Sequence, residues 1–165
     1  MELTNMQTFL PYYSFDTSAK CLDDKRLGKQ RVEAKQIYLA LTDPDYGWKN
    51  HPAVRMWQGY EGALATYGVE CCRAWRARGF NDSLLEFFEA RAPRDAFLDM
   101  PYWLGYWEFH ISHQSNLVRK DPDYYQQHFP NMPGDLPYFW PAPRAKRIVP
   151  TGVMLGVTND ETIVK

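Results

Sequence analysis

Leu22-Asp23-Asp24-Lys25-Arg26-Leu27-Gly28-Lys29-Gln30-Arg31-Val32-Glu33-Ala34-Lys35-Gln36-Ile37-Tyr38-Leu39-Ala40-Leu41 decides the fold class. Leu27, Ala34, Tyr38 and Leu41 recur at near-helical spacing, and Arg26, Gln30 and Glu33 share the adjoining polar side. The pattern predicts an amphipathic helix over 22–41. Gly28 weakens it by about 1 kcal/mol relative to alanine. A glycine there fits either close packing of a second helix or the approach of another backbone or a phosphate. Six Lys or Arg residues fall between Lys20 and Lys35, against Asp23, Asp24 and Glu33. A lone carboxylate on a basic face suits a polyanionic substrate and one acid/base group. The same spacing also suits a solvated helix with ion pairs such as Lys29–Glu33.

Outward from this helix, 165 residues at 45% hydrophobic composition suffice for one domain with a true core. Six Trp, eleven Tyr and nine Phe make that core aromatic. The formal net charge of -1 excludes a global polyanion-binding signature, so a nucleic-acid face must come from local segregation of charge. Basic residues gather at Lys20–Lys35, Arg73–Arg78 and Arg144–Arg147. Cys21, Cys71 and Cys72 form neither a disulfide framework nor a metal-ligand spacing. No secretion signal and no membrane span is read, so a soluble cytoplasmic protein is expected.

Residues 1–19 read as irregular around Phe9-Leu10-Pro11-Tyr12-Tyr13, and Thr42–Gly47 as a turn. A second helix is expected from about His51 to Arg78, opened by Pro52 and kinked near Gly59, Gly62 or Gly68. A short third helix carries Leu84, Leu85, Phe87 and Phe88. A fourth runs from Pro101 to about Lys120, followed by a Pro- and aromatic-rich tail with a short strand near 148–157. The fold class is mainly α: a compact single-domain helical bundle over 1–165, with an irregular aromatic-rich C-terminal tail.

Four histidines raise the question of a metal. His110 and His113 share one helix face, but no HExxH pattern or cysteine pair accompanies them, and no metal or cofactor is expected. They read instead as hydrogen-bonded members of a polar face with Gln114 and Asn116. Trp57, Tyr67 and Trp75 read as core. Tyr124, Tyr125, Phe129, Tyr138, Phe139 and Trp140 either seal the bundle or stack on bases, at about 1–3 kcal/mol per base. Glu33 is the best catalytic carboxylate. Arg26, Lys29 and Arg31 would attract its charge, hold its pKa low and bind phosphates, leaving it ionised at neutral pH unless burial opposes the shift.

With these residues in view, the chain resembles the pyrimidine-dimer DNA glycosylase family, typified by the bacteriophage enzyme called endonuclease V. Met6–Pro11, Leu27–Ala34, His51–Trp57, Arg78-Gly79-Phe80 and His113–Pro122 carry the likeness. It spans about residues 6–141, leaving 142–165 as a C-terminal extension, and is closer to uncharacterised bacterial and phage relatives. The resemblance implies a repair glycosylase with abasic-site lyase activity on double-stranded DNA carrying a damaged pyrimidine. It implies Glu33 as the catalytic glutamate, and Asp123-Tyr124-Tyr125 as an aromatic segment near DNA. Arg26 stands where the family has its active-site histidine and Gln30 where it has a carboxylate. Substrate contacts are expected from Arg26, Lys29, Gln30, Arg31, His51, His113, Tyr124 and Tyr125.

The family nucleophile is an α-amine at the start of the mature chain, which points to Met6 or Met1. Its reference pKa of about 7.7–8.0 leaves it partly unprotonated near neutrality. Lys20, Lys25 and Lys29 are alternative imine-forming amines. A glycosylase using water, an enzyme for another modified base and a DNA-binding relative without activity stay open. A monomer acting in a bacterial or phage-infected cytoplasm is expected.

Overall fold

Asp23 fixes the start of the predicted helix. Its side chain accepts the Arg26 amide, and the helix (α2) runs Asp24–Thr42 before Asp43-Pro44 turns the chain. The computed structural model describes residues 6–94 and 99–144; all regular structure among them is helical. The other helices are α1 (Phe15–Cys21), α3 (Pro52–Arg55), α4 (Glu61–Ala77), α5 (Leu85–Glu89), α6 (Trp107–Lys120) and α7 (Pro122–His128).

Four expectations need correction. Helix α1 lies where irregular chain was expected, because Ser14 caps it by accepting the Thr17 amide at 3.2 Å. The long helix expected over 51–78 is two helices, since Gly59 adopts φ +85° and takes the chain out of helical geometry. Helix α6 begins six residues after Pro101, beyond Gly105 at φ +99°. The expected irregular tail contains α7, opened by Pro122 and capped by Asp121, which accepts the Tyr124 amide. The strand expected near 148–157 lies outside the described residues.

Helix α4 is the axis of the bundle, with α1, α2 and α5 packed on it. Its approach to α2 is possible because Gly28 has no side chain: a Cβ there would sit 3.0 Å from the Trp75 ring. That explains the costly glycine by packing, and leaves no room for a phosphate on that side. Gly68 is tighter still, since a Cβ would lie 2.4 Å from the ring of Phe88, which is fully buried. Trp57 and Tyr67 are core, as expected, and Trp103 and Phe109 join them. Trp75 is instead half-buried, stacked on Phe80 at 4.2 Å. Cys21, Cys71 and Cys72 are buried free thiols, and burial pushes Cys21 and Cys71 up to about 12.

The segment Met6–Leu10 is buried throughout and extended without a partner strand. Its backbone groups are met by side chains. Gln30 Nε2 donates to Gln7 O at 2.9 Å, and Gln30 Oε1 accepts Phe9 N–H at 2.8 Å. Tyr67 donates to Phe9 O at 2.8 Å. From α6, His113 Nδ1 accepts Leu10 N–H at 2.9 Å, His110 Nδ1 meets Leu10 O at 2.8 Å, and Gln114 donates to Pro11 O at 2.8 Å. Trp57 Nε1 and Asn116 Nδ2 donate to the Thr8 and Gln7 side chains. A buried backbone left unpaired would be costly, so these contacts fix the segment's path.

Replacing Gly68 with alanine should lower unfolding free energy by roughly 1–3 kcal/mol, read as a shifted urea midpoint. Adding Phe88→Leu should recover part of that loss through a favourable double-mutant coupling; simple additivity would contradict this packing account.

Candidate active site

Glu33 lies two turns into the polar side of α2 and is 2% exposed, on the floor of a pocket of about 170 Å³. Gln7, Phe9, Lys25, Arg26, Lys29, Gln30 and Lys120 complete the lining. One carboxyl oxygen, Oε1, accepts from Gln30 Nε2 at 3.2 Å; the other, Oε2, is buried with no hydrogen-bond partner. Burial pushes the carboxyl up to about 7, against the downward pull of Lys29, the Gln7 backbone, Lys120 and Gln30. Burial therefore opposes the downward shift expected from the flanking cations and outweighs it. Near neutral pH both protonation states are populated, as a group that gives and takes protons requires.

The mouth of the pocket is cationic. Lys25 and Lys29 stand one turn apart on α2, and Lys120 arrives from the last turn of α6; all three are exposed. None of these three has an acidic partner within ion-pair distance among the described residues. Arg26 joins them while held by Asp23 at 3.1 Å. Against the upward push of burial, hydrogen bonds from Tyr125 and Arg26 keep Asp23 below the usual carboxylate range. The pocket is smaller than those that enclose whole small molecules. It suits a fragment of a larger polyanion whose remainder stays outside. A larger hollow of about 390 Å³ beside Thr66, Arg73 and Arg94 offers less chemistry, since Arg73 is paired with Glu70 and Glu89. Among the described residues no His, Cys, Asp and Glu side chains gather into a metal-binding group.

The structure brings Glu33, Lys29, Arg26 and Gln30 together but disperses the other expected contacts. Gln30 is fully buried and spends its amide on Gln7, Phe9, Tyr67 and Glu33, so it is a clamp rather than a surface for substrate. Arg31 points away. It forms an ion pair with the wholly buried Asp82 and lies 4.7 Å over the Trp75 ring. His51 caps α3 through Ala53 N–H and sits against Trp140. His113 is 1% exposed behind Leu10, and burial pulls it down to about 3, leaving a neutral ring. Tyr125 is buried and shares hydrogen bonds with Asp23, while Tyr124 is half-buried beside it and His128. The Met6 side chain is core at 1% exposure, and Met1 lies outside the described residues.

Sequence reasoning missed Lys120 and Gln7. The signal for Lys120 was present: His113, Asn116 and Lys120 are spaced three and four apart and share one face of α6. That for Gln7 was weak, because irregular chain carries no periodicity.

Residues 6–85, just under half of the chain, match the family model described as pyrimidine dimer DNA glycosylase, supporting the family recognised from the motifs. The match includes α1 to α4, Gln30 and Glu33 and stops before α6 and Lys120. No curated protein and no solved structure matches the chain. No described helix is long and apolar enough to cross a membrane.

Two stability predictions follow from these placements. Glu33 holds its proton more tightly folded than unfolded, so its contribution is full below about pH 4.5 and is lost as pH rises through about 7. Glu33→Gln keeps an acceptor for Gln30 and removes the buried charge. It should stabilise the protein by up to about 3 kcal/mol at pH 8 and by little at pH 4.5. His113 slopes the other way, since stability falls as pH drops below 6.5 toward about 3. The variant should therefore lose more stability than the wild type between pH 7 and 5 in urea titrations. Arg31→Ala should cost stability, read as a lowered urea midpoint, because it strips a partner from Asp82.

Proposed function

We propose, from the premise that residues 6–85 belong to the pyrimidine dimer DNA glycosylase family, that this protein is a DNA repair glycosylase acting on damaged pyrimidines. The single observation that carries the reading is the buried, half-satisfied Glu33 carboxyl beneath a rim of lysines that have no acidic partner among the described residues. A binder without chemistry would need the rim alone, whereas an ionisable group below it is a stability cost that only proton handling justifies. Lys25, Lys29 and Lys120 would hold phosphates on either side of the lesion, with Arg26 beside them. The damaged nucleotide, or its opposing base, must leave the stack to bring C1′ to the pocket.

In this reading ionised Glu33 stabilises positive charge developing at C1′ as the glycosidic bond breaks, and the same carboxylate then removes a sugar proton in the lyase step. The family's amine nucleophile would attack C1′ and hold the sugar as an imine. The Gln7 backbone works on the Glu33 carboxyl, so a chain opening at Met6 would carry its α-amine one residue from that site. A chain opening at Met1 would need residues 1–5 to return the amine there. Arg26 in place of a histidine adds a permanent cation to the rim, which favours phosphate contact over proton transfer at that position.

Duplexes carrying one thymine dimer test the proposal. Glu33→Gln should reduce base release by about 100-fold or more while DNA affinity stays near that of the wild type. Undiminished turnover in this variant would refute the mechanism. Lys29→Ala and Lys25→Ala should each weaken binding and reduce the slope of log K against log salt by about one.

A further inference from the structure

We propose that Phe80 is the stacking surface for a base that bound DNA has released from its helical stack; the assignment rests on the glycosylase reading above. Phe80 is 39% exposed, and its ring stacks on Trp75 with centroids 4.2 Å apart and 28° between the planes. The Arg31 guanidinium lies 4.7 Å over the same indole. Cation, indole and phenyl ring are therefore one connected set, with Phe80 as its exposed member.

The platform is pinned by several contacts. Trp75 Nε1 donates to Asn81 O at 2.8 Å, and the missing side chain at Gly28 lets the indole lie against α2. Helix α4 closes through Gly79 at φ +89°, whose N–H bonds to Arg76 O at 2.9 Å, while Phe80 N–H bonds to Trp75 O at 3.4 Å. That closing pattern sets the residue after the glycine against the last turn of its helix, and any apolar side chain satisfies it. It does not call for an aromatic ring with so much surface left in solvent. Arg78 ties the turn to the chain entering α2, donating to Leu22 O at 2.6 Å and to Lys20 O at 3.1 Å. A ring held this firmly loses little freedom when a second ring stacks on it.

The surroundings suit a polyanion. Lys25 and Val32, three residues before and four after Gly28, share its face of α2, and both are exposed. Lys25 also lines the Glu33 pocket, so the same lysine borders the pocket and the helix face on which Trp75 rests. The acids beside the turn are neutralised: Asp24 pairs with Arg78, Asp82 with Arg31 and Arg76, and Glu86 with Arg76. A base that leaves the duplex gives up its stacking neighbours, and an exposed ring next to the phosphate-holding lysines replaces one of them. Such a contact is indifferent to which base is displaced, because every base has a π face.

Fluorescence of the displaced base decides it. The probe is a duplex with 2-aminopurine opposite a tetrahydrofuran abasic analogue; its emission brightens when the base is unstacked in water and is quenched against an aromatic ring. Affinity is read by anisotropy, and base release from a thymine-dimer duplex is measured in parallel. Phe80→Leu keeps the apolar contact that closes α4 and removes the π face. It should weaken binding by about 5- to 100-fold and brighten the bound probe, with the salt slope unchanged because no phosphate contact is lost. Phe80→Tyr should restore both affinity and quenching, which a purely structural role for the ring would not require. With the wild-type chain alone, a bound probe as bright as the free base in water overturns the assignment, whether or not the variants fold. Equal affinity and emission in Phe80→Leu overturns it too, and Glu33-dependent base release alongside that result leaves the glycosylase reading standing. Quenching that depends on Phe80, with no base release from the dimer duplex, supports the stacking surface and sinks the glycosylase reading.

Discussion

A buried backbone with no sheet to belong to is the constraint on which this structure depends. Residues 7–11 pass through the interior, and each peptide group there would otherwise face an apolar environment unpaired. The solution is a set of polar side chains from three helices: Gln30 from α2, Tyr67 from α4, and His110, His113, Gln114 and Asn116 from α6. Each is fixed in orientation by the group it serves, a backbone group in every case but Asn116, which holds the Gln7 side chain. Gln30 has no hydrogen-bonding capacity left over, and the same amide that holds Gln7 and Phe9 also holds Glu33.

The electrostatics of the pocket follow from that arrangement. The segment roofs Glu33 closely enough to remove it from water, so burial dominates over the attraction of the nearby lysines. The lysines meanwhile stay at the surface, where a charge costs little. A neutral floor and a charged rim therefore arise within a few residues of one helix. Elsewhere the arginines are turned inward to acids, as with Arg31 and Asp82, Arg76 and Glu86, or Arg78 and Asp24. Lys25, Lys29 and Lys120, which have no acidic partner among the described residues, therefore concentrate positive charge at the pocket, although the chain as a whole is nearly neutral.

The sequence made legible what repeats and what caps. Helix α2 was readable because its apolar residues recur at helical spacing, and the family pattern in the same stretch pointed to Glu33. Short α1 and α7 were hidden, because two turns give too few apolar repeats to stand out from neighbouring prolines and tyrosines. The break at Gly59 was read as a kink, since a glycine signals departure from the helix without saying how large it is. Charge alone misplaced Arg31: adjacency on the helix suggested a role beside Glu33, but a step of two residues turns a side chain to another face. The pKa of Glu33 stayed conditional on burial for a related reason. Neighbouring charges are visible in a sequence, whereas the depth of a carboxyl depends on a segment more than twenty residues away.

That dependence sets the order in which the molecule can be assembled. Leu10 is tied to His113 across 103 positions of chain, and Gln7 to Asn116 across 109. The backbone of Leu10 and Pro11 is thus satisfied only once a helix about a hundred positions further along the chain has packed against it. Contacts of such separation form late, after local helices have found one another. The pocket is complete only when the 7–11 segment and α6 have met.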